Sequence, residues 1–170
     1  MKFRLVVDFP PGTILEIGGG ENPAFPLNLD LRPIKGKVKV VGAAESLPFR
    51  DGAFSGVFGR YVLEHVGWRK VRHAVSEIFR VLRPFGSVVL FLPNTEEQCR
   101  VVAERRFGKD WDHYAQMLFG DQKYGEEAHK SFWCPEMAEE VFKAAGFKQV
   151  LVYPHPDTPT DMVVEAVKLP

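Results

Sequence analysis

Three glycines and two acids near the amino terminus are the residues best suited to holding a ligand. In "ILEIGGGENPAFPLNLD" (14–30) an apolar run carries Glu16, then Gly18, Gly19 and Gly20 follow, and Asp30 closes a second apolar run. Glycines let backbone come close to a ligand, and a carboxylate can accept from ribose hydroxyls. A dinucleotide fingerprint asks for more: a third glycine where Pro23 stands, a helix, and an acid about 20 residues on. Only Glu21 to Leu29 separate these glycines from Asp30. The helix start that would bind a pyrophosphate is therefore missing. Such a pattern suits a nucleoside ligand that carries no phosphate, and S-adenosylmethionine (SAM) meets that description. The alternative is a flexible turn after a strand that holds nothing.

Other groups with chemical potential are scattered. His129 is the best candidate for a general base, against the alternative of a structural or exposed histidine. His65 follows the acid of an "LEH" piece and reads either as a cofactor contact or as a structural hydrogen bond at a helix start. Tyr61 and Asn94 stand at strand ends where an acceptor would arrive. His73, His113 and His155 read as surface residues. No metal site is apparent, and the Glu126-Glu127 pair reads as a solvated face. Cys99 and Cys134, the only cysteines, lack metal spacing and read as two reduced thiols.

The 22 basic and 22 acidic residues cancel, so no net field draws the chain to nucleic acid or to an anionic membrane. The basic groups at Arg69, Lys70 and Arg72, and at Arg105, Arg106 and Lys109, have acids among them, which leaves nucleic-acid binding unsupported. No apolar run approaches the 18 or so residues of a membrane span. The start, "MKFRLVVDFPP", has too short an apolar stretch for a signal peptide. A cytoplasmic location is the expectation.

The elements that must position these groups alternate in a βα manner. Strands are expected at 13–17, 27–31, 37–41 and 53–59, and a buried parallel strand at 87–93. Val71, Ala74, Val75, Ile78, Phe79 and Leu82 recur at helical spacing, predicting an amphipathic helix over 68–83. Thr95 with Gln98 suggests a capping box and a helix to about 106. A further helix runs from Pro135 to a stop at Gly146. "KQVLVYP" and "DMVVEAVKL" read as an antiparallel pair. The expected fold is an α/β three-layer sandwich: a Rossmann-like, mostly parallel seven-stranded sheet, mostly helical crossovers, a shortened first crossover and a carboxy-terminal antiparallel hairpin. The chain, 1–170, reads as one domain. Its aromatic-rich segment 107–134 reads as a lid or acceptor wall, or else as side chains packing the edge of the core.

The pieces "ILEIGGGEN", "LNLDL", "VVGAAESLPFRDGAF", "YVLEHV", "EIFRVLRPFGSVVLFLPN" and "HKSFWCPEMAEEVFKAAGF" occur in order over roughly 13–148. In these the chain resembles the class I SAM-dependent methyltransferases, in a small, type 11-like form. The resemblance implies that Glu16, Gly18, Gly19, Gly20 and Asn22 form the loop under the methionine and ribose of SAM. It places Asp30 on the ribose hydroxyls, Leu31 beside the adenine, and Ala43, Ala44 and Glu45 at the adenine edge. Gly59, Arg60 and Tyr61 would form the floor near the sulfonium, with His65 close by. Three departures stand out: Ala43 replaces a common Asp that accepts from adenine, Ser55 replaces an Asp, and Phe85 replaces a Gly.

The implied function is methyl transfer from SAM to a small-molecule acceptor, giving S-adenosylhomocysteine, with no metal. The alternative is a non-catalytic SAM-binding subunit or regulatory partner with the same fold. A nicotinamide-dependent oxidoreductase is disfavoured by Pro23 and the compressed spacing.

Overall fold

The structure, a computed structural model, describes residues 9–170; of the start weighed above as a signal peptide, residues 1–8 lie outside the described residues. Seven strands form one sheet: β1 (Ile14–Ile17), β2 (Asn28–Asp30), β3 (Val40–Val41), β4 (Phe54–Arg60), β5 (Leu82–Pro93), β6 (Gln149–Pro154) and β7 (Asp161–Val167). Their order is β3-β2-β1-β4-β5-β7-β6. The pairs among β1 to β5 are parallel, and β7 runs antiparallel to both β5 and β6. The mostly parallel sheet with its closing antiparallel hairpin is thus the expected one.

Among the described residues four α-helices accompany it: α1 (Val71–Val81), α2 (Thr95–Ala103), α3 (Trp111–Phe119) and α4 (Pro135–Ala145). The expectation of mostly helical crossovers needs correction. Segments 18–27, 31–39 and 42–53, which join the first four strands, contain no helix. A helical crossover takes a dozen or more residues, and Pro23, Pro26, Pro33 and Pro48 interrupt these short connections.

The alternation of the strands divides the apolar residues between two faces. Leu15, Ile17, Leu29, Val57, Val88, Leu90, Leu92, Met162, Val164 and Ala166 join the buried faces of α1 and α4 in the main core. On α1 this face is Val71, Ala74, Val75, Ile78 and Val81, each worth up to about 1.5–3 kcal/mol by burial for the larger side chains. The opposite set, Phe58, Val89 and Val163, is covered by Phe9, Phe25, Phe91 and Tyr153. Here rings meet edge to face in a row: Phe9–Phe25 at 5.8 Å, Phe25–Phe58 at 5.4 Å, Phe58–Phe91 at 5.6 Å and Phe91–His155 at 4.8 Å. His155 is consequently buried rather than at the surface. The β6–β7 connection folds its ring onto Phe91, and its Nδ1 accepts from the Asp157 N–H at 3.2 Å.

Several local readings shift by a few residues. Helix α1 begins at Val71, because Gly67 to Lys70 form a turn closed by the Lys70 N–H on the Gly67 carbonyl. It ends at Val81, with Leu82 extended ahead of Arg83-Pro84. The cap of α2 is Asn94, whose side chain accepts from the Glu97 N–H, in place of the expected Thr95–Gln98 box. Thr95 Oγ1 accepts instead from the Trp133 N–H at 3.2 Å. In α4, Pro135 opens the helix and Gly146 closes it at φ +114°, as expected. Segment 107–134 holds α3 and one 3-10 turn (Gly125–Glu127). Tyr114 and Trp133 are buried at the core edge, whereas Trp111, Phe119 and Phe132 are exposed.

Candidate functional site

A cavity of about 490 Å³ opens at the carboxyl ends of the first four strands. Gly18 and Gly20 follow β1; Asp30, Leu31 and Arg32 end β2; Gly42, Ala44 and Glu45 follow β3. Tyr61, Val62, His65, Val66, Gly67 and Lys70 come from the connection after β4, and Glu126, Glu127 and Lys130 close the far side. Open α/β sheets bind ligands at this place, where the strand order reverses beside β1.

The glycines are dictated by geometry. Gly18 has φ +66°, and a Cβ there would lie 2.3 Å from Val62 Cγ2. Gly20 has φ +55°, again the left-handed region. Its N–H donates to Asp30 Oδ2 at 2.9 Å, while the Arg32 N–H donates to Oδ1 at 2.9 Å. Two backbone donors therefore fix the carboxylate at the cavity wall, and each oxygen keeps a further lone pair.

Gly19, Glu16, Asn22, Arg60, Gly59 and Ala43 are not in the cavity lining. Glu16 is fully buried beneath the first crossover and accepts from the Ala24 N–H at 2.6 Å, the Phe25 N–H at 2.9 Å and Arg60 Nη2 at 3.2 Å. Burial raises its pKa, against the pull of these donors. Arg60 also donates to the Asn22 carbonyl at 2.7 Å. This group thus ties the short crossover to the sheet. Gly19 packs on Asn28, and Gly59 lies between Ile17 and Leu90, where a Cβ would come within 2.8 Å and 2.9 Å of their side chains. Ala43 pairs with Ser46 in an isolated bridge.

On the other side, Tyr61 has φ +54°, uncommon for a residue with a side chain, and its hydroxyl donates to Asp161 Oδ2 at 2.7 Å. Burial and the neighbouring Asp161 hold that hydroxyl well above the usual tyrosine range, so it serves as a donor and not as a base. Asn94 is occupied as the α2 cap, away from the cavity lining. His65 reaches the cavity, with His129 behind it at 5.2 Å between ring centroids. Burial lowers the pKa of both histidines, and in His129 the neighbouring His65 adds to the effect. Glu126 and Glu127 border the cavity instead of forming a purely solvated face.

As site residues, sequence reasoning passed over Arg32, Lys70, Lys130 and Glu64, with Lys70 weighed only within a basic group. Arg32 lies 3.6 Å from the Asp30 carboxylate and stacks on Tyr124 at 5.2 Å. The first three sit beside residues already singled out, which was the available signal. Glu64 stands inside the "LEH" piece, where only its histidine drew notice. It is buried, and neither carboxylate oxygen accepts from another residue among the described residues. Burial, with the charge of Asp161 adding, pushes its carboxyl up to about 8 against the pull of its own backbone N–H.

Comparison with known proteins settles the fold. A family model described as a methyltransferase domain matches residues 28–90. A SAM-dependent methyltransferase from Thermotoga maritima superposes with a TM-score of 0.66 at 18% identity, covering 94% of this chain and 83% of that one. The fold is that of the class I SAM-dependent methyltransferases. The same fold appears in phosphoethanolamine N-methyltransferase 2 of Haemonchus contortus in complex with S-adenosyl-L-methionine, with a TM-score of 0.62 at 17% identity, over 92% of this chain and 48% of that one. In sequence, Escherichia coli YafE, an uncharacterized protein, is 39% identical over 61 residues. That match spans 36% of this chain and 28% of YafE. No helix among the described residues is long and apolar enough to cross a membrane.

Proposed function

We propose that the protein, as a single domain in the cytoplasm, transfers the methyl group of SAM to a small-molecule acceptor and releases S-adenosylhomocysteine. The observation that carries this is Asp30: a carboxylate locked at the end of β2 by the Gly20 and Arg32 amides, on the wall of a cavity of about 490 Å³. That volume lies in the range of small-ligand sites. Asp30 accepts from the ribose hydroxyls, Leu31 and Ala44 flank the adenine, and Gly18 and Gly20 admit the chain of the methionine part. Tyr61 and His65 border the place where an acceptor approaches the sulfonium.

The chemistry asks mainly for position. A lone pair of the acceptor attacks the methyl carbon in line, the sulfur–carbon bond breaks, and its electrons remain on sulfur as the cation is neutralised. Holding the reactants in a near-attack arrangement supplies much of the rate. Calorimetry with SAM, S-adenosylhomocysteine and NADH in parallel tests the reading. Binding of the two sulfur ligands without NADH is expected, and failure to bind either of them would overturn it. Turnover of methyl-labelled SAM against a panel of small acceptors then separates an enzyme from a SAM-binding subunit.

A further inference from the structure

Beside the cavity, the 3-10 turn Leu63–His65 and the segment that packs on it gather three groups of ligand type. Glu64 is buried, and its carboxylate accepts nothing from another residue among the described residues. His65 Nε2 stands 4.0 Å from Glu64 Oε1, too far for a hydrogen bond. His129 completes the set, and the ligand atoms of all three lie within 4.8 Å of one another. A buried carboxylate facing two imidazoles without bonding to them is a costly arrangement.

We propose that Glu64, His65 and His129 bind one divalent transition-metal ion at the edge of the SAM cavity, with Zn²⁺ as the probe. Two nitrogens and one carboxylate oxygen are a donor set for such an ion, whereas Mg²⁺ and Ca²⁺ favour oxygen alone. The surroundings are those of a ligand shell. His65 Nδ1–H donates to the Ala128 carbonyl at 3.2 Å, which leaves Nε2 with its lone pair toward Glu64. Such a backbone partner fixes the tautomer and orientation of a metal-bound histidine. The Glu64 carbonyl accepts from the Lys130 and Ser131 N–H groups at 2.7 and 3.1 Å, which clamps the His129 segment onto the turn. Gly120 lets the end of α3 press into the same place; a Cβ there would lie 2.0 Å from the Glu127 carbonyl oxygen and 3.1 Å from His129 Cδ2.

Ligand atoms about 2.0–2.1 Å from a tetrahedral ion stand about 3.3 Å apart, so binding draws the three together by about an ångström. Three protein ligands leave at least one position open, and His65 lines the cavity, so the ion borders the acceptor's approach. The site departs from the metal-free expectation because the pattern is not local. His129 comes from a distant segment, and spacing alone gives no sign of it.

The test uses the full chain after chelation and dialysis. Calorimetry with Zn²⁺ and metal analysis are expected to give one ion per chain, and Co²⁺ should give visible ligand-field bands. Glu64→Gln and His129→Ala should each weaken Zn²⁺ binding at least about tenfold, the loss that outer partners alone can cause. A His73→Ala, His113→Ala double variant, altered at exposed histidines, should bind as the parent does. His129→Ala, on a half-buried segment, keeps the test decisive if Glu64→Gln fails to fold. No Zn²⁺ binding by the parent, or binding that both single variants leave unchanged, would overturn the proposal. SAM calorimetry on the chelated protein reads the SAM site separately.

Discussion

Replacing Asp30 with asparagine asks whether the carboxylate holds a ribose or merely a loop. Its Oδ2 accepts from the Gly20 N–H and its Oδ1 from the Arg32 N–H, both at 2.9 Å. An asparagine retains one acceptor and turns its amide group toward the other N–H, so one hydrogen bond is lost and two donors face each other. With the side chain about 10% exposed, this costs about 1–3 kcal/mol, or about 2–10 °C in melting temperature for a chain of this length. The ribose adds a separate loss. A hydrogen bond to a charged acceptor is worth about 1.5–3 kcal/mol, so affinity for S-adenosylhomocysteine should fall about 10- to 150-fold. Loop damage would weaken any ligand, and the two effects are separated by a cycle. Parent and Asp30→Asn are titrated calorimetrically with S-adenosylhomocysteine and with an analogue lacking both ribose hydroxyls. The parent should discriminate strongly between them and the variant weakly, with a coupling of about 1–3 kcal/mol. Equal losses on both ligands would refute the ribose role and leave Asp30 as a loop anchor.

Three further outcomes follow from the same geometry. Gly18→Ala should lower the melting temperature and weaken SAM binding, because its Cβ meets Val62 Cγ2 at 2.3 Å. A second change, Val62→Ala, should relieve the clash but not the left-handed backbone cost of about 1–2 kcal/mol, so rescue in thermal melts should be partial. Glu77 accepts from Arg80 at 2.7 and 2.8 Å and from the Leu47 N–H at 2.9 Å, and these partners lower its pKa. A lowered folded value means that its contribution is complete above the ordinary 4.5 and disappears as pH falls through the folded value. Urea unfolding of Glu77→Gln should accordingly show a deficit at pH 7 that closes at acid pH; a deficit constant with pH would count against the charge. Phe85 is exposed with φ +62°, so Phe85→Gly should relieve strain and stabilise the protein by up to about 1 kcal/mol, read as a rise in melting temperature.

Much of the architecture was legible because periodicity reports burial. The α1 stripe and the apolar run of β5 each have a single stable partner, the sheet core, and Pro135 and Gly146 mark their helix by backbone constraint alone. Gly18, Gly20 and Asp30 were legible for a related reason, since backbone approach and hydroxyl recognition restrict residue type. What stayed hidden depends on contacts between distant segments. Nothing local in "LEH" tells which of its acid and imidazole will be buried; that follows from the docking of 129–131 onto the turn. His155 read as a surface residue because its partner, Phe91, lies on a strand far away in sequence.

The first crossover shows how a missing helix is replaced. A helix over this part of the sheet would cover apolar surface and satisfy its own backbone. Here Phe25 provides the cover by inserting its ring between Phe9 and Phe58. Glu16 provides acceptors for the Ala24 and Phe25 N–H groups, and Arg60 offsets the buried carboxylate while holding the Asn22 carbonyl. The acid of the glycine motif is thereby committed to the loop, which leaves Asp30 as the cavity's carboxylate on this side. Residues 21–28 add nothing to the cavity lining. The compression therefore puts the proposed recognition on Gly18, Gly20, the strand ends and the Glu126–Lys130 side rather than on the rest of the crossover.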